Sequence, residues 1–313
     1  MRIVIVGPGA MGCLFGAFLA KFGEDIYLLD RRDKRAEYIN KNGIKVEGIS
    51  GEFKIAVKAT SNPSDIGECA LVIICVKSYD TEAAIKSIKS IIKKDTLVLT
   101  LQNGVGNVEA ISKIAGEEKT IGGVTSHGAT LLGDGHIRHA GKGETVIGMA
   151  GLKIKSQASK KLDEIAKVFE RAGFQTKLAE NIEDLIWSKL VINIGINALT
   201  AITRLNNGRL IEFAGTEAIL EEAVREAIYV ADAKGIKLIF DDPVKKVKDV
   251  ANATGGNVSS MLQDVLKKRK TEIDYMNGAI VREAGLLKID VPVNRMLTNL
   301  VKTIEASYSL RVG

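Results

Sequence analysis

Short apolar runs alternate with segments of helical periodicity through the first half of the chain. Arg2–Val6 is an apolar run typical of a strand buried on both faces of a parallel sheet. Apolar positions from Ala10 to Phe22 recur at helical spacing, and Gly23 suits the end of that helix. Similar patterns predict strands at 25–30, 71–77, 96–102 and 175–179, and helices at 81–93 and 156–172. This alternation predicts an α/β domain.

The pattern changes twice further along the chain. Between residues 120 and 149 glycines become dense, and the segments 135–139 and 144–148 predict antiparallel hairpins. After Asn181 the strand pattern disappears. The remaining segments predict helices at 182–200, 217–234, 243–253, 259–268, 271–287 and 292–309. We therefore predict an α/β domain over residues 1–180 and an all-helical domain over residues 181–313.

A glycine-rich turn joins the first predicted strand to the first helix. The segment Gly7-Pro8-Gly9-Ala10-Met11-Gly12 fits the pattern GxGxxG, and the strand that follows the helix ends in Asp30. Gly7 allows a tight turn, Gly9 lets the backbone approach a pyrophosphate, and Gly12 allows close packing of helix and strand. This context predicts a Rossmann-type dinucleotide site. The alternative is a structural glycine turn in another kind of α/β protein.

The end of the second strand contains residues that favour different dinucleotides. Asp30 is placed to bind ribose hydroxyls and so select NAD(H). Arg31 and Arg32 follow at once and suit the 2′-phosphate of NADP(H). Asp30 then only orients or neutralises one of them. We favour NADP(H), with NAD(H) as the alternative.

A polar stripe runs along an otherwise apolar helix of the second domain. Lys189, Asn193 and Asn197 recur at a spacing of four residues, so they share one helix face. Asparagine is a poor helix former, and burial of a lysine without partners is costly. The simple alternative is a solvent-exposed face. A lysine that lines a cleft instead makes a good general acid, because its surroundings tune its pKa.

Two later segments offer partners for this stripe. Ser260 and Asp264 lie four residues apart at the start of a predicted helix, whose free amides suit an anion. Glu272 stands at the start of the next helix. Taken alone, Glu272 is equally well explained as a helix cap or a surface carboxylate.

The amino-acid composition argues against several classes of protein, namely those that bind nucleic acids, hold metals or span membranes. Hydrophobic residues make up 46% and charged residues 26% of the chain, as in ordinary globular proteins. The net charge of +6 arises from 44 basic residues dispersed among 38 acidic ones, and only 5% are aromatic, so we expect no nucleic-acid partner. Three cysteines and three histidines without ligand spacing predict no metal site. With no long apolar run, we expect no membrane partner and a cytoplasmic location.

Several motifs together resemble the ketopantoate reductase family, also called 2-dehydropantoate 2-reductases. They span nearly the whole chain, and the last two are the most specific. The motifs are Gly7–Gly12, Lys77, Gln102–Gly106, Trp187–Leu190, Asn193, Asn197, Asn206–Gly208, Ser259–Asp264 and Thr271–Tyr275.

The resemblance implies a role for each matching residue. Lys189 is implied as the general acid, with Glu272 holding that lysine and the substrate. Ser260 is implied to bind the substrate carboxylate. The remaining implied contacts are Asn193, Asn197 and Asn207 for the substrate, and Gly7, Gly9, Ala10, Met11, Gly12, Arg31, Lys77 and Asn103 for the cofactor. Asp30 is a further candidate for cofactor binding, but only because of its place at the end of the second strand. Asp30 departs from the family pattern, where an uncharged residue is commoner in NADPH-dependent members.

The resemblance implies an NAD(P)H-dependent reduction of ketopantoate to pantoate, on the way to pantothenate and coenzyme A. Two alternatives stay open. One is a reductase of another small oxoacid on the same scaffold, because a fold does not fix a substrate. The other is a non-catalytic dinucleotide sensor, which would behave the same after Lys189→Ala. The large helical domain also suggests a homodimer.

Overall fold

The structure is a computed structural model, and it describes residues 1–151 and 156–310 but not the side chains of residues 156–159. The last residues of the predicted second domain, 311–313, lie outside this description. The chain divides into two compact units. The first comprises Met1–Gln102 and Asn107–Ile182, and the second comprises Asn103–Gly106 and Glu183–Gly313.

The first unit alternates strands and helices. In chain order its elements are β1 (Arg2–Val6), α1 (Ala10–Lys21), β2 (Asp25–Leu29), α2 (Asp33–Asn42), β3 (Ile44–Gly48), β4 (Phe53–Ile55), β5 (Lys58–Thr60), β6 (Leu71–Ile74), α3 (Thr81–Ser87), β7 (Leu97–Thr100), α4 (Asn107–Ala115), β8 (Thr120–Thr125), β9 (Gly128–Gly133), β10 (His136–Gly141), β11 (Thr145–Met149), α5 (Ser156–Arg171) and β12 (Thr176–Leu178).

The large sheet of this unit has the strand order β12-β11-β8-β7-β6-β1-β2-β5. Neighbouring strands are parallel, except that β8 and β11 are antiparallel. The chain runs outward from β1 to β2 on one side and resumes with β6 on the other side. In sheets of this kind, ligands bind at the carboxyl ends of the strands where the order reverses. The predicted α/β class is confirmed, and its glycine turn follows β1 at this position.

A smaller sheet, of order β4-β3-β10-β9, contains most of the strands that the sequence patterns did not predict. The segment 135–139 does form a hairpin strand, because β10 pairs antiparallel with β9. The segment 144–148 instead joins the large sheet as β11. The helix α2 escaped prediction because its only buried residues are Ala36 and Ile39, which leaves a weak apolar pattern.

The described residues of the second unit form helices joined by loops and contain no strand. Its helices are α6 (Ile182–Thr203), α7 (Ala214–Ala233), α8 (Pro243–Ala253), α9 (Ser260–Leu266), α10 (Asn277–Leu287) and α11 (Pro292–Ala306). The helix expected over 271–287 starts only at Asn277, because Met276 has φ −114° and ψ −105°, outside the helical region. A short 3-10 turn, Ile273–Tyr275, takes the place of its first residues.

The helix α6 forms the centre of the second unit. It packs so closely against α7 and α8 that a Cβ on Gly195 would lie 2.6 Å from Val247 Cγ1 and 3.0 Å from Val224 Cγ2. By length and hydropathy alone α6 is also long and apolar enough to cross a membrane. However, 67% of its most apolar window is buried inside the protein, as in a core helix.

Candidate active site

The turn between β1 and α1 leaves no room for side chains at two of its glycines. Gly7 has φ +93°, and a Cβ there would lie 2.7 Å from Val76 Cγ1. A Cβ on Gly12 would lie 2.3 Å from the carbonyl oxygen of Gly7. The turn is closed by the N–H of Gly9, which donates to the Gly7 carbonyl at 2.8 Å. Both glycines are therefore required by close backbone approach.

Gly9 is different, because a Cβ there would meet no protein atom within 4 Å. It is the N-cap of α1 and makes no side-chain cap hydrogen bond, and the first turn of the helix, with Ala10 and Met11, carries no acidic residue. A helix N-terminus with free amides, no acidic side chain and an open approach attracts an anion. These residues fit the pyrophosphate of a dinucleotide.

Lys77 follows β6, the strand next to β1 in the large sheet. It caps a 3-10 turn, Ser78–Asp80, and its side chain is partly buried. Parallel neighbouring strands end at the same edge of a sheet, so Lys77 emerges at the edge that carries the glycine turn. The contact between Gly7 and Val76, the residue before Lys77, supports this placement.

The carboxylate of Asp30 is buried, with 3% of the residue exposed, and both its oxygens have partners. Oδ1 accepts the backbone N–H of Arg32 at 3.2 Å, and Oδ2 accepts Nε–H of Arg35. The side chains of Arg31 and Arg32, by contrast, are 81% and 55% exposed. Arg35 was not among the predicted site residues. An arginine five positions after Asp30 in a helix was the available signal, but α2 itself had not been recognised.

In the second unit, Lys189 and Glu272 form an electrostatic pair. The side chain of Lys189 is partly buried, and its pKa is about 8 and not the usual 10.5, mainly because the loss of water around the ammonium lowers the pKa. The charge of Glu272 opposes this shift and raises the pKa of the lysine. Glu272 is only 6% exposed and directly precedes the 3-10 turn Ile273–Tyr275. The interpretation of Glu272 as a surface carboxylate is therefore wrong.

Asn193 lies one helical turn after Lys189 on α6. Its Nδ2 is buried and has no hydrogen-bond partner among the residues that the structure describes. A buried amide without a partner is costly, so such groups commonly mark a place where a ligand binds. Asn193 thus offers a donor beside the lysine.

Asn197, a further turn along α6, contacts the start of α9. Its Oδ1 accepts Oγ–H of Ser260 at 3.4 Å and the backbone N–H of Met261 at 3.5 Å. Ser260 itself is exposed, while its neighbour Ser259 caps the helix by accepting the N–H of Leu262. The structure therefore brings Ser260 next to the polar stripe of α6.

Asn207 is buried in the second unit, and its hydrogen bonds go to the loop before α9 and not to the polar stripe of α6. Its Nδ2 donates to Thr254 Oγ1 at 2.9 Å, and its backbone N–H donates to the carbonyl of Asn257. Its Oδ1 is buried and has no hydrogen-bond partner in the described part of the chain. These bonds hold the loop before α9, whereas the oxygen is available to a ligand.

The segment Asn103–Gly106, which follows β7, packs with the second unit. Gly104 has φ +83°, and a Cβ there would lie 2.2 Å from the carbonyl oxygen of Tyr275. The same carbonyl accepts the N–H of Val105 at 3.1 Å. Asn103 therefore belongs to the segment that contacts the 3-10 turn after Glu272.

The fold and these sites define the class of dinucleotide-dependent oxidoreductases in which an α/β unit is followed by a helical one. Among the side chains that the structure describes, no group of three or more His, Cys, Asp or Glu is arranged to hold a metal ion. Residues 3–151 match the family model "Ketopantoate reductase PanE/ApbA", and residues 181–305 match the model of its C-terminal part. The chain belongs to the ketopantoate reductase family and is an oxidoreductase, which confirms the resemblance found in its motifs.

Individual relatives cover almost the whole chain. A 2-dehydropantoate 2-reductase of Pyrococcus horikoshii is 38% identical over 98% of this chain and 98% of its own length. The crystal structure of a ketopantoate reductase from Ralstonia eutropha is 35% identical, covers 99% of this chain and 100% of that one, and has a TM-score of 0.90. A D-mandelate dehydrogenase with NADH and anilino(oxo)acetate is 28% identical over 99% of this chain and 100% of that one, with a TM-score of 0.91.

Proposed function

We propose that this chain reduces ketopantoate to pantoate with NAD(P)H, a step of pantothenate and coenzyme A biosynthesis. Family membership and relatives named 2-dehydropantoate 2-reductase support the reaction. The observation that supports this substrate is the buried Nδ2 of Asn193, one turn from Lys189, which has no hydrogen-bond partner within the described part of the chain. Ketopantoate bears a hydroxyl group besides its keto acid, and this oxygen gives the amide an acceptor.

In this proposal each side chain has one task. A bound reduced nicotinamide supplies the hydride to the ketone carbon. The ammonium of Lys189 donates its proton to the ketone oxygen as negative charge develops there. With a pKa of about 8, Lys189 is mostly protonated at neutral pH and still a stronger acid than an ordinary lysine. Glu272 keeps that proton on the lysine.

The other polar residues bind and orient the substrate. Ser260 and the free amides at the start of α9 bind the substrate carboxylate, and Asn197 holds Ser260 in place through its hydrogen bond. Asn193 and Asn207 use their unpartnered polar atoms toward the substrate. This division of labour keeps the acid beside the keto group.

For the cofactor, we propose a preference for NADP(H) over NAD(H). Asp30 is buried and engaged by arginines, which disfavours it as an acceptor for ribose hydroxyls. Arg31 and Arg32 are exposed and suit a 2′-phosphate. Lys77, Asn103 and the glycine turn supply the remaining cofactor contacts in this proposal.

We assign dinucleotide binding to residues 1–180 and substrate binding to residues 181–313. The free thiols of Cys13 and Cys69 are buried and Cys75 is partly buried, as expected for a protein that acts in the reducing cytoplasm. A homodimer stays a prediction from the size of the helical domain.

The similarity to D-mandelate dehydrogenase favours one second candidate, a reductase of an aromatic 2-keto acid. A phenyl ring offers no acceptor to Asn193, so this candidate leaves the buried amide without a partner. The test that separates the two candidates is therefore whether the enzyme prefers a substrate with a hydroxyl group that can accept a hydrogen bond from Asn193.

The deciding experiment measures NADPH and NADH oxidation with ketopantoate and with phenylglyoxylate, the keto acid that corresponds to mandelate. We expect kcat/KM to be higher for ketopantoate by at least about tenfold, because one buried hydrogen bond is at stake. Faster turnover of phenylglyoxylate would favour the second candidate. A lack of turnover with both would contradict the proposed substrate class.

A further inference from the structure

We infer that Arg35 determines the choice of dinucleotide by acting on the carboxylate of Asp30. Arg35 lies in the first turn of α2, and only 14% of its side chain is exposed. Its Nε donates to Asp30 Oδ2, while its backbone N–H donates to the carbonyl of Arg32 at 3.1 Å. The side chain of Arg35 thus extends from a helix and not from a loop. This inference rests on the proposed use of a nicotinamide dinucleotide.

The ion pair changes what Asp30 presents to a dinucleotide. A free aspartate at the end of this strand accepts hydrogen bonds from ribose hydroxyls and repels a 2′-phosphate. Here one oxygen is bound by the Arg32 amide and the other by the Arg35 guanidinium. The local charge is then dominated by Arg31 and Arg32, which favours an anion. By engaging the second oxygen of Asp30, Arg35 thereby favours binding of NADP(H) over NAD(H).

Arg35 differs from its two neighbours in its role. Arg31 pairs with Asp80 at 3.6 Å and Arg32 pairs with Asp134 at 3.3 Å, and both arginines are largely exposed. Nε of Arg32 also lies 4.0 Å from Asp30 Oδ2, which is a much looser pair than the direct hydrogen bond from Arg35. Exposed pairs of this kind are weak and exchange readily for a phosphate. The pair of Arg35 with the buried Asp30 is costly to break, because the buried carboxylate would lose the only cation that is hydrogen-bonded to it among the described residues. Arg35 is therefore a positioning and specificity residue, whereas its neighbours contact the ligand.

The test is the affinity for NADPH and NADH, measured by nucleotide fluorescence without any keto acid. Arg35→Met keeps the length of the side chain and releases the carboxylate. We expect NADPH to bind more weakly and NADH more tightly, so that the ratio of their Kd values shifts toward NADH by about tenfold or more. Arg171→Met is the matched control, since it removes an exposed arginine paired with Glu24 in the same unit and should leave the ratio unchanged.

A double-mutant cycle with Asp30→Asn separates an indirect role from a direct one. If Arg35 acts through Asp30, adding Arg35→Met to Asp30→Asn changes the Kd ratio by no more than about twofold. This pair of substitutions also removes both charges together, which protects the fold if Arg35→Met alone is unstable.

Two results would overturn the inference. An equal loss of NADPH affinity in both backgrounds would make Arg35 a direct phosphate ligand, and an equal loss for both nucleotides would make it merely structural. If the wild type binds both nucleotides but does not reduce ketopantoate, the proposed substrate is wrong and the Kd ratio still decides the role of Arg35. If the wild type binds neither, the proposed cofactor and this inference are both wrong.

Discussion

Replacing Glu272 by glutamine should shift the pH dependence of catalysis to lower pH. The pKa of Lys189 results from two opposed effects, since burial lowers it and the charge of Glu272 raises it to the net value of about 8. Glutamine keeps the shape of the side chain and removes the charge. Burial then acts alone, and the pKa of Lys189 must fall below that of the wild type.

The size of this shift follows from the burial of the pair. Glu272 is 6% exposed, so solvent screens its charge weakly. An opposite charge close to a buried group typically moves a pKa by about 1–3 units. A fall of about 1 unit reduces the protonated fraction of Lys189 at pH 8 from about one half to about one tenth. We therefore expect an additional loss of about fivefold at pH 8 that is absent near pH 6.

The assay is kcat/KM for ketopantoate with saturating NADPH across neutral and alkaline pH. Reduction needs the protonated lysine, so activity should fall as pH rises through its pKa, at about 8 in the wild type and lower in Glu272→Gln. Glu283→Gln is the control, because this carboxylate pairs with Lys234 at 2.8 Å and not with Lys189. Its profile should match the wild type.

If the alkaline limb of Glu272→Gln stays at the wild-type pH or moves to higher pH, Glu272 does not raise the pKa of Lys189. A loss of activity that is equal at all pH values would lead to the same conclusion. That result would mean that Glu272 orients the substrate without holding the proton of the lysine.

Two further predictions concern the glycine turn and the polar stripe. Gly12→Ala should destabilise the fold by about 1–3 kcal/mol, because its Cβ would lie 2.3 Å from the Gly7 carbonyl oxygen. Gly9→Ala should fold normally, because its Cβ would meet no protein atom within 4 Å, but it should bind NADPH at least about tenfold more weakly. Thermal unfolding and nucleotide fluorescence measure the two effects, and normal nucleotide binding by Gly9→Ala would argue against a pyrophosphate at this turn. Asn193→Ala should raise KM for ketopantoate by up to about tenfold without changing NADPH affinity, whereas Asn299→Ala, at an exposed position, should change neither. An unchanged KM in Asn193→Ala would remove the main support for ketopantoate as the substrate.

The parts of the fold that the sequence predicted best have strong local patterns. β1, the glycine turn and α1 were predicted because a fully apolar strand, a specific turn and a helical repeat follow one another. The strands β4 and β5 were missed because each is only three residues long. The late start of α10 depends on a contact with a distant segment, since the carbonyl of Tyr275 accepts the N–H of Val105.

The candidate site shows the same division between local and distant information. The spacing of Lys189, Asn193 and Asn197 predicted one shared helix face, because helical geometry alone decides it. The pairing of Asp30 with Arg35 required α2, whose apolar pattern is too weak to recognise. The unpartnered amide of Asn193 depends on every neighbour that packs around it, so only the structure reveals it.

In the proposed reaction the Lys189 ammonium delivers the proton to ketopantoate. The most direct test is single-turnover oxidation of NADPH by ketopantoate with wild type and Lys189→Met, with NADPH affinity measured on the same samples. We expect a rate lower by at least about 10²-fold in the variant, with unchanged NADPH affinity. If the variant oxidises NADPH at the wild-type rate, Lys189 is not the proton donor and another group supplies the proton.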